Sequence, residues 1–400
     1  MAATLSAVQL SLYVGNLIPA PAPPSLVQAL QSVKVTIGDK APSGFELTFH
    51  AERYGMGTDD PLLSGGLLKP HNRVILVATI NGIPRVLVDG FITGHEYAPG
   101  AKLTVSGEDV SIKMDLFEVS IPWPFMVDTL VVAAVLAKYM LLGIMPIIVP
   151  SVRDLSIPLD HTPQQNSTDR AYLQQLAKEN GYVFFIVPGP MVGMNMAYWG
   201  PPIRASVPPI FNGDQKALSV DMGPFTNVES MTFNYDATGP TISYGMLDIC
   251  KLPPVPVAIA GTTRIPALAS APALGNYGSL ASNPLGFLSD LATLKVRGSY
   301  FQHPGRNWAD TLILAQIQTD MSVDNVVTVQ GSLDTVRYGD VLAAPGLVAV
   351  RGAGTSYDGL YYVKQVTHRI SSRTTEWEYK QDFVLSREGM GSTIAGVTPS

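Results

Sequence analysis

The alternation of apolar and polar positions is most sharply defined between residues 168 and 187. Apolar residues recur there at helical spacing, at Tyr172, Leu173, Leu176 and Ala177. Thr168 can cap this helix with its hydroxyl, Asp169 favours the positive end of the helix dipole, and Gly181 follows where a left-handed backbone is favoured. Residues 182–187 are continuously apolar, which indicates a buried strand. The sequence therefore predicts a helix over residues 168–180 and a strand directly after it.

A period of two dominates the first hundred residues. Short alternating runs, separated by turn residues, cover residues 33–37, 45–49, 73–80, 83–88 and 102–108. Asn81 and Gly82 lie between the third and fourth runs, and such a pair is the strongest short signal for a two-residue hairpin. Strands of this kind bury one face and expose the other. The pattern predicts an antiparallel β-barrel or sandwich.

The period changes to about 3.6 near residues 122–124 and stays mixed until residue 200, which predicts an α/β unit inserted into the β structure. Its first apolar run, residues 129–149, approaches the length of a membrane span. Lys138 interrupts the middle of this run and Pro146 breaks its second half. A buried helix followed by a strand is therefore the favoured interpretation, and a membrane span is the alternative.

Strand character returns at residues 228–235, and the last third of the chain predicts a second β domain with one helix over residues 307–320. Short strands are predicted over residues 326–329 and 347–350. Residues 360–370 and 377–385 are predicted to pair as a closing antiparallel hairpin through the connection 371–375. In its second strand Tyr379, Phe383 and Leu385 alternate with polar residues, which predicts one buried face.

The stretch from residue 239 to residue 286 is rich in proline and small residues, with only Asp248, Lys251 and Arg264 as charges. Its composition disfavours regular structure, and its low polarity disfavours a freely solvated tether. We expect an extended strap on a protein surface, and we expect that surface to belong to a neighbouring subunit.

The composition indicates a chain that buries part of its surface in an assembly or in a membrane. Charged residues make up only 14% of the 400 residues, against about a quarter in average soluble domains, and the mean hydropathy is +0.20. The net charge of -6 and the lack of a dense Lys and Arg cluster argue against direct contact with nucleic acid. Cys250 is the only cysteine, so no intrachain disulfide can form, which fits a reducing cytoplasm. The first 33 residues lack Lys and Arg, so the basic start of a secretory signal is missing.

Candidate chemical groups do not converge on a site in the sequence. The six histidines are scattered, no pair has the helical spacing of a zinc site, and no cysteine cluster accompanies them. No Walker loop or nucleophile elbow is present, and Gly352-Ala353-Gly354 precedes a strand pattern instead of the helix that a dinucleotide turn needs. We predict no catalytic, cofactor-binding or metal-binding residue, no cofactor and no enzymatic activity.

Four polar positions and one glycine have structural interpretations. His368 is interpreted as a strand histidine satisfied by a neighbouring backbone or hydroxyl group, with a ligand or pH-switch role as the alternative. Asp358 and Gly359 are interpreted as a tight turn whose glycine permits a positive φ. Asp169 and Glu179 are interpreted as helix-terminus and surface charges rather than as an acid/base pair.

Two segments combine residue types in a characteristic order. The first contains Gln165, Thr168-Asp169, Tyr172-Leu173, Leu176-Ala177, Glu179, Gly181-Tyr182 and Phe184. The second contains Tyr357-Asp358-Gly359, Tyr361-Tyr362-Val363, Val366, His368, Phe383, Leu385 and Arg387-Glu388-Gly389. In this order they resemble the central baseplate hub of contractile tails and injection systems. That family includes the phage late control D proteins and the N-terminal hub part of VgrG-type spike proteins.

The resemblance implies a mainly β fold with an α/β insertion, in which two tube-like β-barrel domains share one chain and the insertion interrupts the first. The expected boundaries are 1–117 and 203–245 for the first barrel, 118–202 for the insertion, 246–290 for the strap, 291–390 for the second barrel with its helix, and 391–400 for a tail. The resemblance also implies a homotrimeric ring that adapts a hexameric inner tube to a trimeric spike. Its partners would be a separate spike protein, an inner-tube or tube-initiator protein and other baseplate subunits, in a particle assembled in the bacterial cytoplasm.

The sequence ends at Ser400, shortly after the Arg387-Glu388-Gly389 motif. No oligonucleotide-fold barrel, β-helix or lysozyme-like domain follows, so we expect a separate spike polypeptide and no cell-wall hydrolysis by this chain. Two other classes stay open. A secreted β-rich carbohydrate-binding or adhesion protein should show an export signal and exposed aromatic platforms, and an enzyme of unrecognised type should bring carboxylates or a nucleophile together in a pocket.

Overall fold

The computed structural model consists mainly of β-strands, with a small α/β unit inserted near the middle of the chain. The residues it describes are 8–40, 43–51, 62, 65–98, 102–151, 153, 162–208, 210, 215–247, 255–259, 264–274, 297–301, 308–373 and 376–393. The predicted fold class, mainly β with an α/β insertion, is confirmed.

The N-terminal β unit follows the predicted alternation closely. Its elements are β1, Val8–Gly15; β2, Ala20–Pro21; α1, Pro24–Ala29; β3, Leu30–Gly38; β4, Gly44–His50; β5, Arg73–Ile80; β6, Ile83–Ala98; and β7, Lys102–Asp109. Asn81 and Gly82 form the predicted turn between β5 and β6, with φ values of 51° and 80°. These left-handed values match the right-handed twist of a tight hairpin, and this explains why an Asn-Gly pair occupies the turn.

The inserted α/β unit leaves the end of β7 through a 3-10 turn, Val110–Asp115. Its elements are β8, Glu118–Pro122; α2, Asp128–Ala137; β9, Ile144–Ile148; β10, Gln164–Thr168; α3, Asp169–Glu179; β11, Val183–Pro188; and β12, Asn195–Gly200. Strand β12 pairs antiparallel with β11 and parallel with β9, and β8 pairs with β10. The buried helix and strand predicted for residues 129–149 are α2 and β9. Within the described ranges, no helix is both long and apolar enough to cross a membrane.

The predicted helix at residue 168 and the strand after it are confirmed in detail. The Thr168 hydroxyl caps α3 by accepting a hydrogen bond from the Ala171 N–H at 3.3 Å, and Gly181 follows the helix with φ of 65°. Side chains on β11 alternate between two cores. Phe184 and Ile186 pack inside the insertion, whereas Val183, Phe185 and Val187 pack against the N-terminal β unit. The strand is buried on both faces, and this is why its sequence is continuously apolar.

The remaining elements form the C-terminal β unit and the segments that lead to it. They are β13, Leu218–Ser219; β14, Ser230–Tyr235; β15, Thr241–Leu247; β16, Val255–Ile259; β17, Ala269–Pro272; β18, Arg297–Phe301; α4, Trp308–Val323; β19, Val327–Asp334; α5, Thr335–Tyr338; β20, Gly346–Arg351; β21, Gly359–Arg373; β22, Glu376–Arg387; and β23, Gly389–Ser392. The predicted helix at residues 307–320 is α4, and the predicted closing hairpin is β21 and β22. Residues 374–375 of its connection lie outside the described residues.

The closing hairpin is shared between the two β units. Among the described residues, thirteen strands join in one sheet. Eleven of them follow the order β14-β19-β22-β21-β3-β4-β7-β6-β5-β1-β2, while β20 pairs with β21 and β13 pairs with β20. Residues 359–363 of β21 pair with β20, and after an irregularity at Lys364 residues 365–371 pair with β3. One strand therefore contributes backbone hydrogen bonds to both units and fixes their relative position.

Two stretches in the middle of the chain differ in part from expectation where the structure describes them. Residues 203–245 were expected to return to the first barrel; Ile203, Val207 and Ile210 do pack in the core formed mainly by the N-terminal unit, whereas β13 and β14 pair with β20 and β19 of the C-terminal unit. Residues 239–286 were expected to lack regular structure, but they contain β15, β16 and β17.

The strap expected on a neighbouring subunit lies on its own chain in its described part. Strand β17 pairs with β23, and Leu268 and Leu274 are buried in the two main cores. Backbone pairing and burial of two leucines outweigh the proline content here. Residues 248–254, 260–263 and 275–286, including Cys250, lie outside the described residues.

Two substitutions in α3 should differ clearly in their cost. Leu176 is buried in the core of the insertion, so Leu176→Asp places an unpaired charge there and should cost on the order of several kcal/mol of unfolding free energy. Thr168→Ala removes the cap hydrogen bond and should cost about 1 kcal/mol. Thermal unfolding of both variants beside the wild type tests this ranking, and equal, negligible shifts would show that α3 is not packed as described.

Candidate functional site

The Arg387-Glu388-Gly389 motif ends β22, and both of its charged side chains are fully buried. The Arg387 guanidinium donates from Nε to the carbonyl of Gly389 at 2.8 Å and from its two terminal nitrogens to the carbonyls of Asp358 and Ser356, both at 3.0 Å. It also lies 4.3 Å from the centre of the Tyr361 ring. Arg387 therefore fastens the turn before β21 to the end of β22.

The Glu388 carboxylate joins the C-terminal unit to two other parts of the chain. Its Oε1 accepts hydrogen bonds from the backbone N–H groups of Leu268 and Ala269, the second at 3.0 Å. Its Oε2 accepts from Arg204 at 2.9 Å, and Arg204 lies just after the last strand of the insertion. A buried carboxylate is stable only when it is paired and hydrogen-bonded, and Glu388 meets both conditions.

The ion pairs continue from Arg204 to helix α4. Arg204 donates to Oδ1 of Asp324 at 3.2 Å, and Arg264 binds both oxygens of Asp324 at 2.8 and 3.0 Å. These contacts connect the segments that follow β12, α4 and β22 with the strap through four charged side chains: Arg204, Asp324, Glu388 and Arg264. We call these four residues the junction cluster.

A cavity of about 70 Å³ lies beside the junction cluster, at the meeting point of the N-terminal unit, the insertion and the C-terminal unit. Asp39 and Lys364 line it, and Asp39 accepts a hydrogen bond from the Tyr362 hydroxyl at 3.0 Å. Burial raises the pKa of Asp39 and lowers the pKa of Lys364. On α4, burial raises the pKa of Asp320 to about 6, although Arg264 and Arg204 oppose that shift.

A second buried ion pair, between Arg73 and Asp89 of the N-terminal unit, contacts the insertion at the beginning of β12. The Arg73 guanidinium binds both carboxylate oxygens of Asp89, each at 2.6 Å, and Asn195 of β12 donates to the same carboxylate at 2.8 Å. Arg73 also donates to the carbonyl of Gly193 at 3.0 Å. Bidentate pairing with an added amide satisfies both buried charges.

Asp169 is the first residue of α3, in agreement with its interpretation as a helix-terminus charge. It is not a surface charge, because its side chain is buried and accepts hydrogen bonds from Lys138 at 2.8 Å, Tyr139 at 2.7 Å and Gln165 at 2.7 Å. Burial alone would raise the pKa of Asp169, but these three donors outweigh it and lower the pKa. Lys138, which interrupts the apolar run in the sequence, is the partner of this carboxylate. Glu179 is half-buried and lies 3.5 Å from Arg153.

His368 lies in the middle of β21, between the two β units, and is fully buried. Its Nδ1 is 3.0 Å from the Tyr379 hydroxyl, and burial lowers its pKa to about 3, so the ring is neutral at physiological pH. The Tyr379 contact agrees with the structural interpretation for Nδ1, whereas Nε2 is buried and has no hydrogen-bond partner among the described residues. Gly359 has φ of 128°, as the turn interpretation of Asp358 and Gly359 requires.

The described residues contain no group of three His, Cys, Asp or Glu side chains placed to hold a metal ion. In the junction cluster, the two arginines neutralise the two carboxylates where parts of the chain meet. Sequence reasoning singled out Arg387 and Glu388 but missed their partners Arg204, Arg264 and Asp324, and it also missed Arg73 with Asp89. The available signal was a charge next to or inside an apolar strand, as in Val88-Asp89-Gly90.

No known protein family and no curated protein matches the sequence. Solved structures do match. The 43 kDa tail protein of prophage MuSo2 from Shewanella oneidensis has a TM-score of 0.59 and 12% identity, with 95% of this chain and 98% of that chain covered. The tail protein from Neisseria meningitidis MC58 has a TM-score of 0.57 and 13% identity, with coverage of 96% and 98%. The chain has the fold of phage tail proteins.

The tail-protein fold extends to injection systems. The c3393 protein of E. coli, a component of the type VI secretion system, matches with a TM-score of 0.53 and 10% identity over 93% of this chain and 76% of that chain. A Francisella PdpA-VgrG complex matches with a TM-score of 0.55 and 8% identity over 98% of this chain and 54% of that chain. The resemblance inferred from the two sequence segments is confirmed at the level of fold.

Removal of the Glu388 carboxylate should destabilise the protein strongly. Glu388→Ala leaves Arg204 partly unpaired and two backbone N–H groups without an acceptor, which should cost about 3–5 kcal/mol of unfolding free energy. Glu229→Ala is the control, because Glu229 pairs with Lys380 on the surface and its loss should hardly change stability. Chemical denaturation measures both, and similar midpoints for the two variants would contradict the assigned role of Glu388.

The raised pKa of Asp320 gives a pH dependence with a definite sign. Between its ordinary value of 3.8 and about 6 the folded protein binds a proton that the unfolded chain releases, so stability falls as pH rises through this range. Asp320→Asn keeps an oxygen acceptor for Gln316 and removes the titration, so at pH 7 it should stabilise the protein on the order of 1 kcal/mol. Melting temperatures from pH 4.5 to 7.5 should show the difference between variant and wild type growing with pH. A constant difference would show that Asp320 does not titrate in this range.

Proposed function

We propose that this protein is the structural hub of a baseplate, in a phage tail or a contractile injection system, where it forms a homotrimeric ring between a hexameric inner tube and a trimeric spike. The observation that carries the proposal is the likeness of fold to tail proteins over nearly the whole length of both chains. The low charge content supports it, because a chain with so few charges is suited to hide surface in an assembly.

The arrangement of strands supports a ring with mixed symmetry. Three chains with two β units each provide six similar positions, which suits contact with a sixfold tube on one side and a threefold spike on the other. The shared strand β21 holds the two units of one chain in a fixed orientation. Rigid units of this kind can maintain the ring geometry under mechanical load without a chemical step. We therefore propose that the protein is not an enzyme.

We propose functional units that follow the expected boundaries. Residues 1–117 form the first β unit and 118–202 the insertion. Of residues 203–245, the start packs with the first unit through Ile203, and the strands β13 and β14 extend the second unit, 291–390. Residues 246–290 form the linker and 391–400 the tail. The proposed partners are a separate spike protein, an inner-tube or tube-initiator protein and other baseplate subunits, with assembly in the bacterial cytoplasm.

One pair of substitutions tests the hub proposal. Phe383 is buried on β22 opposite Val366, so Phe383→Lys places a charge inside the C-terminal core and should abolish both the trimer and particle formation. His368→Gln keeps a polar partner for Tyr379 and should leave assembly intact. Native mass measurement of the purified chain and electron microscopy of particles made with all other components give the readouts.

Either of two results would contradict this assignment. Normal attachment of tube and spike with Phe383→Lys would remove the scaffold role from the second β unit. If a correctly assembled particle with His368→Gln failed completely to contract, His368 would have a chemical role that the hub proposal does not include. A wild-type chain that stays a well-behaved monomer at micromolar concentration would contradict the homotrimer.

A further inference from the structure

A second cavity, of about 610 Å³, lies between the N-terminal unit, the insertion and the C-terminal unit. We call it the His368 cavity, after one residue of its wall. The start of β6, the turn between β11 and β12, and the segment between α5 and β20 form much of that wall. Most of the described wall residues are apolar, and several are buried: Val77, Leu87, Val187, Met196 and Leu342. A volume of roughly 300–1,000 Å³ and a mainly apolar lining are typical of small-molecule sites.

Most polar side chains described in this wall already have partners in the chain. Gln215 donates to two backbone carbonyls and accepts from a backbone N–H. The Tyr338 hydroxyl donates to a third carbonyl at 2.7 Å. Arg85 pairs with Asp340 at 3.3 Å, so the charges of these two side chains cancel. The wall therefore offers a ligand few free polar groups and no net charge from its described side chains.

His368 is the exception among the described side chains of the wall. Its Nδ1 lies 3.0 Å from the Tyr379 hydroxyl, whereas its Nε2 is buried and has no hydrogen-bond partner. The hydroxyl has one proton, and Nδ1 is the acceptor that it contacts, so we assign the proton of the neutral ring to Nε2. A buried N–H without an acceptor is unfavourable. An oxygen atom placed beside Nε2 would remove this deficit.

Water alone is a poor occupant of the space beside His368. An ordered buried water makes about three hydrogen bonds, and cavities with apolar walls stay dry. Because the other described polar side chains of the wall are already bonded, a water at Nε2 would have a single side-chain partner. An organic molecule needs only one polar contact there, because the apolar wall covers the remainder of its surface.

The exposed residues of the wall mark the opening of the cavity. Pro84 and Arg85 at the start of β6 are exposed, and so are Pro190 and Val192 in the turn between β11 and β12. A ligand can therefore enter between these two segments while the surrounding strands stay paired. The Arg85 and Asp340 pair favours neither an anion nor a cation, since its charges cancel.

We propose that the His368 cavity binds a small neutral molecule with a mainly apolar body and one carbonyl or hydroxyl oxygen, which accepts a hydrogen bond from Nε2 of His368. The two ring nitrogens then have different roles, because Nδ1 serves the fold through Tyr379 and Nε2 serves the ligand. A ligand of the same shape without the oxygen is disfavoured, because it leaves the buried donor unpaired. Ligand binding at this site does not depend on the proposed hub function.

Nile red, a neutral apolar dye whose fluorescence rises in apolar surroundings, is the probe for the cavity. It should bind the wild-type chain saturably, with one dye per chain. Ala343→Trp puts a large ring into the wall and should weaken binding by about 10-fold or more. Leu141→Ser is the control, because Leu141 is 97% exposed outside the described wall and its loss should leave binding unchanged. Fluorescence titration measures affinity, and circular dichroism with thermal unfolding checks that both variants are folded.

A pair of competitors with similar shape tests the hydrogen bond to His368. Benzophenone carries a carbonyl oxygen, whereas diphenylmethane has a methylene group in its place, and both are titrated against bound Nile red. His368→Asn keeps an amide near the Tyr379 hydroxyl and removes Nε2. The preference for benzophenone over diphenylmethane should therefore fall by about 10-fold from wild type to His368→Asn. This comparison decides the matter even if Ala343→Trp does not fold.

Three results would overturn the inference. Absence of saturable Nile red binding would leave water or a segment of another protein as the occupant of the cavity. Weaker dye binding in Leu141→Ser than in a folded Ala343→Trp would place the dye on the outer surface. An unchanged ligand preference in His368→Asn would show that Nε2 contacts no ligand oxygen. These results would leave the hub proposal standing, because that proposal is tested by assembly.

Discussion

The remaining structure depends on one constraint: one edge of β21 pairs with two different strands, while its other edge pairs with β22. Residues 359–363 bond to β20 and residues 365–371 bond to β3, so a single strand carries the sheet from one β unit into the other. Because side chains alternate along a strand, a shift of one residue in either half would turn Val366, His368 and Ile370 away from the cores they fill. The irregularity at Lys364 lets both registers coexist in one chain.

Several of the buried charges lie where parts of the chain meet. Arg204, Asp324 and Glu388 join the insertion to the C-terminal unit, and Arg73 with Asp89 joins it to the N-terminal unit. Apolar packing is not directional, whereas a bidentate ion pair or a doubly bonded carboxylate is satisfied in one geometry only. In a chain with few charges, several of them thus specify how the units fit together, and this suits a part whose proposed role is to hold a fixed shape.

The two ends of the insertion have different properties. Near the junction cluster its charges are paired with those of the same chain, whereas at the Arg73 end the paired charges support an exposed apolar surface. The first arrangement joins the insertion to the C-terminal unit, and the second supports loops in which Ile18 and Leu141 are exposed. Both arrangements use the same kind of interaction. In each, a buried guanidinium, Arg204 or Arg73, donates to carbonyl and carboxylate oxygens.

The sequence by itself determined the local structure: helix α3 with its Thr168 cap, the Asn81-Gly82 turn, the buried strand β11 and the closing hairpin. These features depend on neighbouring residues, and neighbours are visible in a sequence. Tertiary structure alone decided that β13 and β14 join the C-terminal unit, that the proline-rich stretch forms strands on its own chain, and that Asp169 is buried. Each of these depends on a partner far away in sequence, such as β19, β23 or Lys138, and no local pattern encodes which partner will supply the missing hydrogen bonds.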